Sequence, residues 1–77
     1  MIDKYKNAFK ETFLVEDNQL EALKYQSIDN WDSVGHMGLM AALEDAFDIE
    51  LDIDDIIDFS SFDVGKKVLA KYGVKLD

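Results

Sequence analysis

Residues 30–37 read Asn-Trp-Asp-Ser-Val-Gly-His-Met, and they open the most helix-like part of the chain. At this position the carboxylate of Asp32 can accept hydrogen bonds from the unpaired N–H groups of a first helical turn. Further along, apolar residues recur at spacings of three and four: Leu39, Ala42, Leu43, Ala46 and Phe47. We therefore predict a helix that begins at Asp32 or Ser33, ends near Phe47, and turns this stripe toward the core.

The same helix carries a second apolar ladder on a different face. It consists of Val34, Met37 and Ala41, and Glu44 and Asp45 continue it. An ordinary surface helix needs only one apolar stripe, so a second one that starts beside a serine and ends in acids is typical of a docking surface. We interpret these five residues as candidate partner contacts. The alternative is that both stripes are buried, because a small bundle can wrap around a central helix.

Helix signals also dominate the flanking segments. An apolar stripe of Ile2, Tyr5, Phe9 and Phe13 predicts a first helix over residues 2–15. The pair Ser60-Ser61 supplies a cap for a last helix over 62–72, and Gly73 suits the residue that follows its end. The inner face of that helix is predicted to be Phe62, Gly65, Val68, Leu69 and Tyr72.

Two connections complete the predicted fold. Residues 17–32 form a long loop that apolar anchors should hold, with a short turn around Leu20 to Leu23; the anchors are Leu20, Leu23, Tyr25, Ile28 and Trp31. An extended link over 48–52 precedes a short third helix over 53–58, with Ile53, Ile56 and Ile57 pointing inward. The prediction is an all-α four-helix bundle with a short third helix and a long first loop, in a single domain spanning 1–77.

The charges of the chain are unevenly placed. The 77 residues carry 17 acids and eight lysines, for a net charge of -9. From Tyr25 to Gly65 there is no lysine or arginine, and eleven of the acids lie there. Such a field repels nucleic acid and anionic membranes and steers basic partners toward the protein. We therefore expect a basic protein partner, with no nucleic-acid or membrane partner.

Several other site classes find little support in the sequence. There is no cysteine and only one histidine, which excludes disulfides, cysteine zinc sites and histidine-rich metal sites. A calcium loop starting at Asp48 fails because Ile53 stands where glycine is required. We expect no metal site. No apolar run follows Met1 and none is long enough to span a bilayer, so we expect a cytoplasmic monomer.

Ser33 is the most informative polar residue, and two kinds of chemistry compete for it. With His36 three residues away it could form a hydrolase pair. The nucleophile-elbow pattern is incomplete, however, because Trp31 stands where its first glycine belongs, and no oxyanion loop is visible. We therefore predict that the chain is not an enzyme and that His36 is an exposed polar residue. A serine at the positive end of a helix instead suits the attachment of a phosphate-linked group.

These residues resemble a known family. The run Trp31-Asp32-Ser33-Val34, followed by Leu39, Leu43, Glu44 and Phe47, is similar to the acyl carrier protein signature, and the likeness in layout covers nearly the whole chain. The resemblance implies that Ser33, with Asp32 as the helix cap beside it, carries a covalent 4'-phosphopantetheine. A phosphopantetheinyl transferase would install it from coenzyme A with magnesium. The arm would then hold an acyl or aminoacyl group as a thioester.

The resemblance also implies a set of partners and a cargo space. The second helix would recognise acyl-loading and acyl-transfer enzymes through Val34, Met37 and Ala41, with Glu44 and Asp45 facing their basic patches. The cargo would be sheltered near Leu39, Leu43, Phe47, Ile57 and Phe59. Gly35 and Gly38 stand where carriers of fatty-acid synthesis usually have acids, which favours a specialised biosynthetic pathway. Trp31-Asp32 before the serine favours acyl over peptidyl cargo. The alternative is an unmodified acidic helical adaptor that binds a basic protein.

Overall fold

The computed structural model describes residues 2–76 and contains four α-helices and one short 3₁₀ helix. They are α1 (Ile2–Phe13), the 3₁₀ helix (Asp17–Ala22), α2 (Ser33–Phe47), α3 (Ile53–Asp58) and α4 (Phe62–Ala70). No strand occurs among these residues, and the nearest approach to one is an isolated antiparallel bridge between Lys24 and Ser61. The all-α class is confirmed, whereas the four-helix bundle of the acyl-carrier type stays a prediction.

The ends of the helices follow from local capping. Asp32 precedes α2, and its side chain accepts a hydrogen bond from the backbone N–H of Gly35. Ser61 caps α4 in the same way through the N–H of Val64. Gly73 has a φ of +80°, which glycine adopts without a Cβ penalty, so the chain turns away after α4 as predicted. Both α1 and α4 end two residues earlier than predicted.

Six aromatic side chains form the centre of the core. Phe9 lies at the centre, with its ring centroid 5.0 to 6.1 Å from five other rings: Tyr5, Phe13, Trp31, Phe59 and Phe62. All six side chains are at most 2% exposed. Burial of rings of this size dominates the hydrophobic contribution to the stability of a small domain.

The buried hydroxyl of Tyr5 connects α1 with the first residue of α4. It donates a 2.5 Å hydrogen bond to the carbonyl of Phe62, so the polar atom is satisfied inside the core. Burial, with a smaller contribution from the charge of Asp63, raises the pKa of Tyr5, which keeps the phenol protonated as a donor. This bond fixes α1 against the start of α4.

The long connection between α1 and α2 is held as predicted, with one exception. Leu20, Leu23 and Trp31 are buried and Ile28 is half-buried. Tyr25, however, is 38% exposed and is therefore not a core anchor. The 3₁₀ helix begins at Asp17, ahead of the predicted turn. Backbone hydrogen bonds from Tyr25 to Ser60 and from Phe62 to Leu23 attach this connection to the α3–α4 linker.

The orientation of α3 differs from the prediction. Ile53 and Ile57 are 73% and 71% exposed, and only Ile56 packs partly against the core. The inward position is taken by Asp55, which is 6% exposed. Its carboxylate accepts hydrogen bonds from Lys71 and, at 2.5 Å, from the hydroxyl of Tyr72. These polar partners on and beside α4 outweigh the tendency of the isoleucines to be buried, because a paired buried carboxylate is stable and an unpaired one is not.

None of the helices within residues 2–76 is both long and apolar enough to cross a membrane.

Candidate functional site

The first turn of α2 presents Ser33 on a rigid support. Asp32 Oδ1 accepts from the N–H of Gly35 at 2.8 Å, and the backbone carbonyl of Asp32 accepts from the N–H of His36 at 2.8 Å. Ser33 is the first residue of the helix, and its side chain is exposed. Its hydroxyl therefore lies at the positive end of a helix of 15 residues, where a negative group is favoured.

An apolar groove opens beside this serine. It has a volume of about 420 Å³ and lies between the start of α2 and α3. It is lined by Tyr25, Ser33, His36, Met37, Ile53, Ile56, Ile57, Phe59 and Ser60. The two exposed isoleucines of α3 thus form one wall of a depression whose rim carries Ser33. An apolar space of this kind suits a hydrocarbon group more than a polar one.

The structure places the predicted cargo residues in two different surroundings. Ile57 and Phe59 line the groove. Leu39 and Leu43 are fully buried in the core, and neither they nor Phe47 lines it. The groove residues Tyr25, His36 and Ile53 were missed by sequence reasoning. Their signal is weak, because a tyrosine in a loop and an isoleucine in a short helix are ordinarily core residues.

His36 connects the two sides of the groove. Its Nδ1 accepts a 2.9 Å hydrogen bond from the indole N–H of Trp31, and its Nε2 lies 2.6 Å from the carbonyl oxygen of Ile56. An indole can only donate and a carbonyl can only accept, so both bonds are made by the neutral tautomer with its proton on Nε2. The prediction of an exposed His36 is wrong, since the ring is half-buried and bonded on both sides. Neither nitrogen is left to serve as a base for Ser33.

Tyr25 is the side chain that touches Ser33. Its hydroxyl lies 3.3 Å from Ser33 Oγ, and either oxygen could be the donor. Its ring packs edge-on against the ring of His36, with centroids 5.4 Å apart. Its backbone N–H donates to the carbonyl of Ser60 at 2.9 Å. Tyr25 therefore stands at the rim of the groove, held by the α3–α4 linker on one side and by α2 on the other.

The predicted partner face is largely accessible. Val34 is 82% exposed, Met37 is 55% exposed, and Ala41 and Asp45 are also exposed. The alternative in which both apolar stripes of α2 are buried is therefore wrong for this stripe. Glu44 is half-buried. Its Oε2 accepts a hydrogen bond from the backbone N–H of Leu51 at 2.8 Å, so this carboxylate is bonded within the protein. Ile53 and Ile57 of α3 add exposed apolar surface that the sequence did not predict.

The interaction of Asp55 with Lys71 and Tyr72, which directly follow α4, fixes the outer wall of the groove. The hydrogen bond from Lys71, with a second one from Tyr72, lowers the pKa of Asp55. The same bond to Asp55 raises the pKa of Lys71. The hydroxyl of Tyr72 also accepts from the backbone N–H of Asp52 at 2.8 Å. These contacts hold α3 by its polar side and leave its isoleucines facing outward.

Close packing explains why residue 35 is glycine, and the sequence did not reveal this packing. A Cβ at this position would overlap the backbone carbonyl oxygen of Asn30 and crowd the ring of Phe13. Asn30 is itself held by a 3.2 Å hydrogen bond from its side-chain amide to the carbonyl of Phe13. Gly38 is different, because a Cβ there would meet only a methyl group of Thr12 at 3.9 Å. Gly35 is thus explained by packing, and the structure offers no reason for Gly38.

Comparison of this chain with protein-family models, with curated protein sequences and with solved structures gives no match in any of the three. Interpretation of the site therefore depends on its own residues and geometry.

Proposed function

We propose that this protein is a discrete carrier that holds an acyl or aminoacyl group on a 4'-phosphopantetheine arm attached to Ser33. The observation that supports it most is the position of the Ser33 hydroxyl. It is exposed on the capped first turn of α2 and opens onto an apolar groove of about 420 Å³. The proposed attachment point, Ser33, is therefore next to a groove in which an apolar cargo could lie.

The residues present fit the arm. A transferase needs an accessible hydroxyl, and the hydroxyl of Ser33 is exposed and bonded, among the side chains of residues 2–76, to that of Tyr25 alone. Attachment forms a bond between Ser33 Oγ and phosphorus and breaks the pyrophosphate bond of coenzyme A. Adenosine 3',5'-bisphosphate leaves, and the serine proton passes to a base of the transferase. When bound, the arm supplies a terminal thiol that carries its cargo as a thioester.

The surface around Ser33 supports recognition by partner enzymes. Val34 and Met37 of α2 project beside the groove, and Ile57 of α3 is exposed across from them. The charged residues from Tyr25 to Gly65 are all acidic. Basic patches on a transferase or on an acyl-transfer enzyme would be steered toward this region and would meet apolar contacts at its centre. The absence of nucleic-acid and membrane partners, the monomeric state and a cytoplasmic location belong to the same proposal.

Loading of the purified protein tests the proposal directly. The protein is incubated with coenzyme A, magnesium and a transferase of broad specificity, and intact masses are measured. We expect the wild type to gain one phosphopantetheine and Ser33→Ala to gain none. Ser60→Ala is a matched control, because it removes another exposed hydroxyl from the same groove and should load like the wild type. An unloaded wild type, under conditions that load a known carrier, would contradict the proposal.

A second candidate function is an acidic adaptor that binds a basic protein without modification. The exposure of Val34 and Met37 in a region without lysine or arginine supports it. In that case partner binding should survive Ser33→Ala and weaken as salt is added, because surface charges are screened. A carrier differs in that transfer of cargo is abolished by Ser33→Ala at every salt concentration.

A further inference from the structure

We propose that Tyr25 is a positioning residue of the attachment site. Its hydroxyl donates a hydrogen bond to the phosphodiester formed on Ser33 and so holds the root of the arm at the rim of the groove. This inference rests on the proposed function, and it assigns a role to a residue that lies outside both the signature around Ser33 and the predicted partner face.

The first argument is that Tyr25 is held in place from several directions although it is not buried. Its backbone N–H is bonded to the carbonyl of Ser60, and the adjacent Lys24 forms the antiparallel bridge with Ser61. Its ring packs against His36, which is itself bonded to Trp31 and Ile56. A side chain that is 38% exposed would ordinarily be free to change rotamer. These contacts instead keep the hydroxyl beside Ser33.

The second argument concerns which of the two hydroxyls can donate a hydrogen bond before and after attachment. In the unmodified protein either oxygen can donate, and their separation of 3.3 Å is long for a hydrogen bond between two hydroxyls. Attachment replaces the proton of Ser33 with phosphorus, so Oγ can no longer donate. Tyr25 keeps its proton and becomes the donor, facing an anion instead of a neutral hydroxyl. Hydrogen bonds to charged acceptors are shorter and stronger than those between neutral groups.

The third argument is that the charged residues of this stretch are all acidic, so a phosphodiester on Ser33 depends on neutral donors, namely the backbone N–H groups at the start of α2 and the hydroxyl of Tyr25. No lysine or arginine occurs from Tyr25 to Gly65, and Asp32 adds a negative charge next to Ser33. The carboxylate of Asp32 is directed to the N–H of Gly35, so it caps the helix and also occupies one of its donors. A neutral hydroxyl that is already positioned therefore supplies stabilisation that the charged residues of this region cannot supply.

The test uses the loaded protein and phosphorus NMR. We expect Tyr25→Phe to load normally and to keep the ring contact with His36, while the ³¹P resonance of its phosphodiester shifts relative to the wild type. Ser60→Ala removes a groove hydroxyl that is not bonded to Ser33 in the described part of the chain, and it should leave that resonance unchanged. Equal ³¹P shifts in the wild type and Tyr25→Phe would overturn the inference.

A second measurement needs no variant at Tyr25. The protein has three tyrosines, and the hydroxyls of Tyr5 and Tyr72 are bonded to Phe62 and Asp55, away from Ser33. With ¹³C-labelled tyrosine, loading should shift the Cζ resonance of Tyr25 and leave the other two in place. An unshifted Tyr25 would overturn the inference even if Tyr25→Phe failed to fold. A wild type that cannot be loaded would overturn both this inference and the proposed function, whereas a loaded protein without these shifts overturns this inference alone.

Discussion

The aromatic core and the groove edge place similar apolar residues in opposite surroundings. In the core, Phe9 is in contact with five rings and has no exposed surface. At the groove edge, Ile53 and Ile57 are more than 70% exposed. Stability is thus concentrated where α1 meets α4 and the start of α2. The exposed isoleucines of α3 contribute little to it, so their side chains are available for contacts outside the fold.

The two regions are joined by a short chain of hydrogen bonds. Trp31 belongs to the core, and its indole donates to His36, which is bonded in turn to the carbonyl of Ile56 on α3. The core therefore determines where the wall of the groove lies, although the isoleucines of that wall are not buried. Substitutions in each region and in this connection test the comparison.

The largest effect is expected for Phe9→Ala. Loss of a large buried side chain and the cavity it leaves cost about 3 to 5 kcal/mol in comparable cores. For a domain of this size that is a large part of the total free energy of unfolding. Urea unfolding measures the change, and the matched substitution at the groove edge is Ile57→Ala. It should alter the free energy of unfolding by no more than about 0.5 kcal/mol, as is usual for exposed positions. Equal losses for the two variants would break the distinction between the regions.

Gly35→Ala is expected to destabilise the junction between the regions. The added Cβ would meet a backbone carbonyl, which cannot move aside as a flexible side chain can. Overpacking of this kind costs about 1 to 3 kcal/mol. Gly38→Ala on the same helix is the control. Its Cβ would make only an ordinary contact with a methyl group of Thr12 at 3.9 Å, and the variant should be more stable by about 0.5 to 1 kcal/mol because alanine is the better helix former. Thermal unfolding of both variants would show opposite shifts, and shifts of the same sign would contradict this explanation of Gly35.

His36→Ala should separate the core from the groove wall. It leaves the buried indole N–H of Trp31 without its partner, at a cost of about 1 to 3 kcal/mol. It also removes the bond to Ile56, so amide hydrogens of α3 should exchange faster while those of α1 keep their relative protection. Hydrogen exchange followed by mass spectrometry distinguishes the two helices. Uniform loss of protection would show that the core and the groove wall do not behave separately.

The last prediction concerns how Asp55 affects stability in acid. Hydrogen bonds from Lys71 and Tyr72 lower the pKa of Asp55 in the folded protein relative to an unfolded aspartate, whose pKa is about 4. Its ionised form therefore stabilises the fold above that ordinary value. This stabilisation is lost as the pH falls through the lower pKa of the folded state. Asp55→Asn should flatten the decline of the unfolding temperature in acid. Asp54→Asn, at an exposed acid of the same helix, should leave the decline unchanged, and a decline that Asp55→Asn does not alter would contradict this role.

Sequence reasoning succeeded where short-range interactions decide the structure. The cap at Asp32, the length of α2, the cap at Ser61 and the turn at Gly73 each depend on residues within a few positions of one another. The exposure of the Val34 and Met37 stripe was likewise visible in the spacing of one helix. Such interactions can be predicted from the order of residues along the chain.

Sequence reasoning failed where the structure depends on contacts between residues that are far apart in the chain. The orientation of α3 depends on Lys71 and Tyr72, which lie 16 and 17 residues from Asp55. No spacing within a helix of six residues could favour the aspartate over its isoleucines. His36 and Tyr25 were misjudged in part for the same reason, since Ile56 lies 20 residues from His36 and Ser60 belongs to a different segment from Tyr25. The position of the groove depends on Asp55, His36 and Tyr25, and so the groove was only partly predicted.

Trp31 is the only tryptophan in the chain, so it is an intrinsic fluorescent probe of one position. Its indole is fully buried and stacked on Phe13, yet it is one hydrogen bond from His36 at the groove. Intrinsic fluorescence therefore reads a single, known position without any dye. Any movement of α3 that altered the bonding of His36 would reach the indole as a change in emission. Occupancy of the groove by an added ligand can therefore be followed in the unlabelled protein.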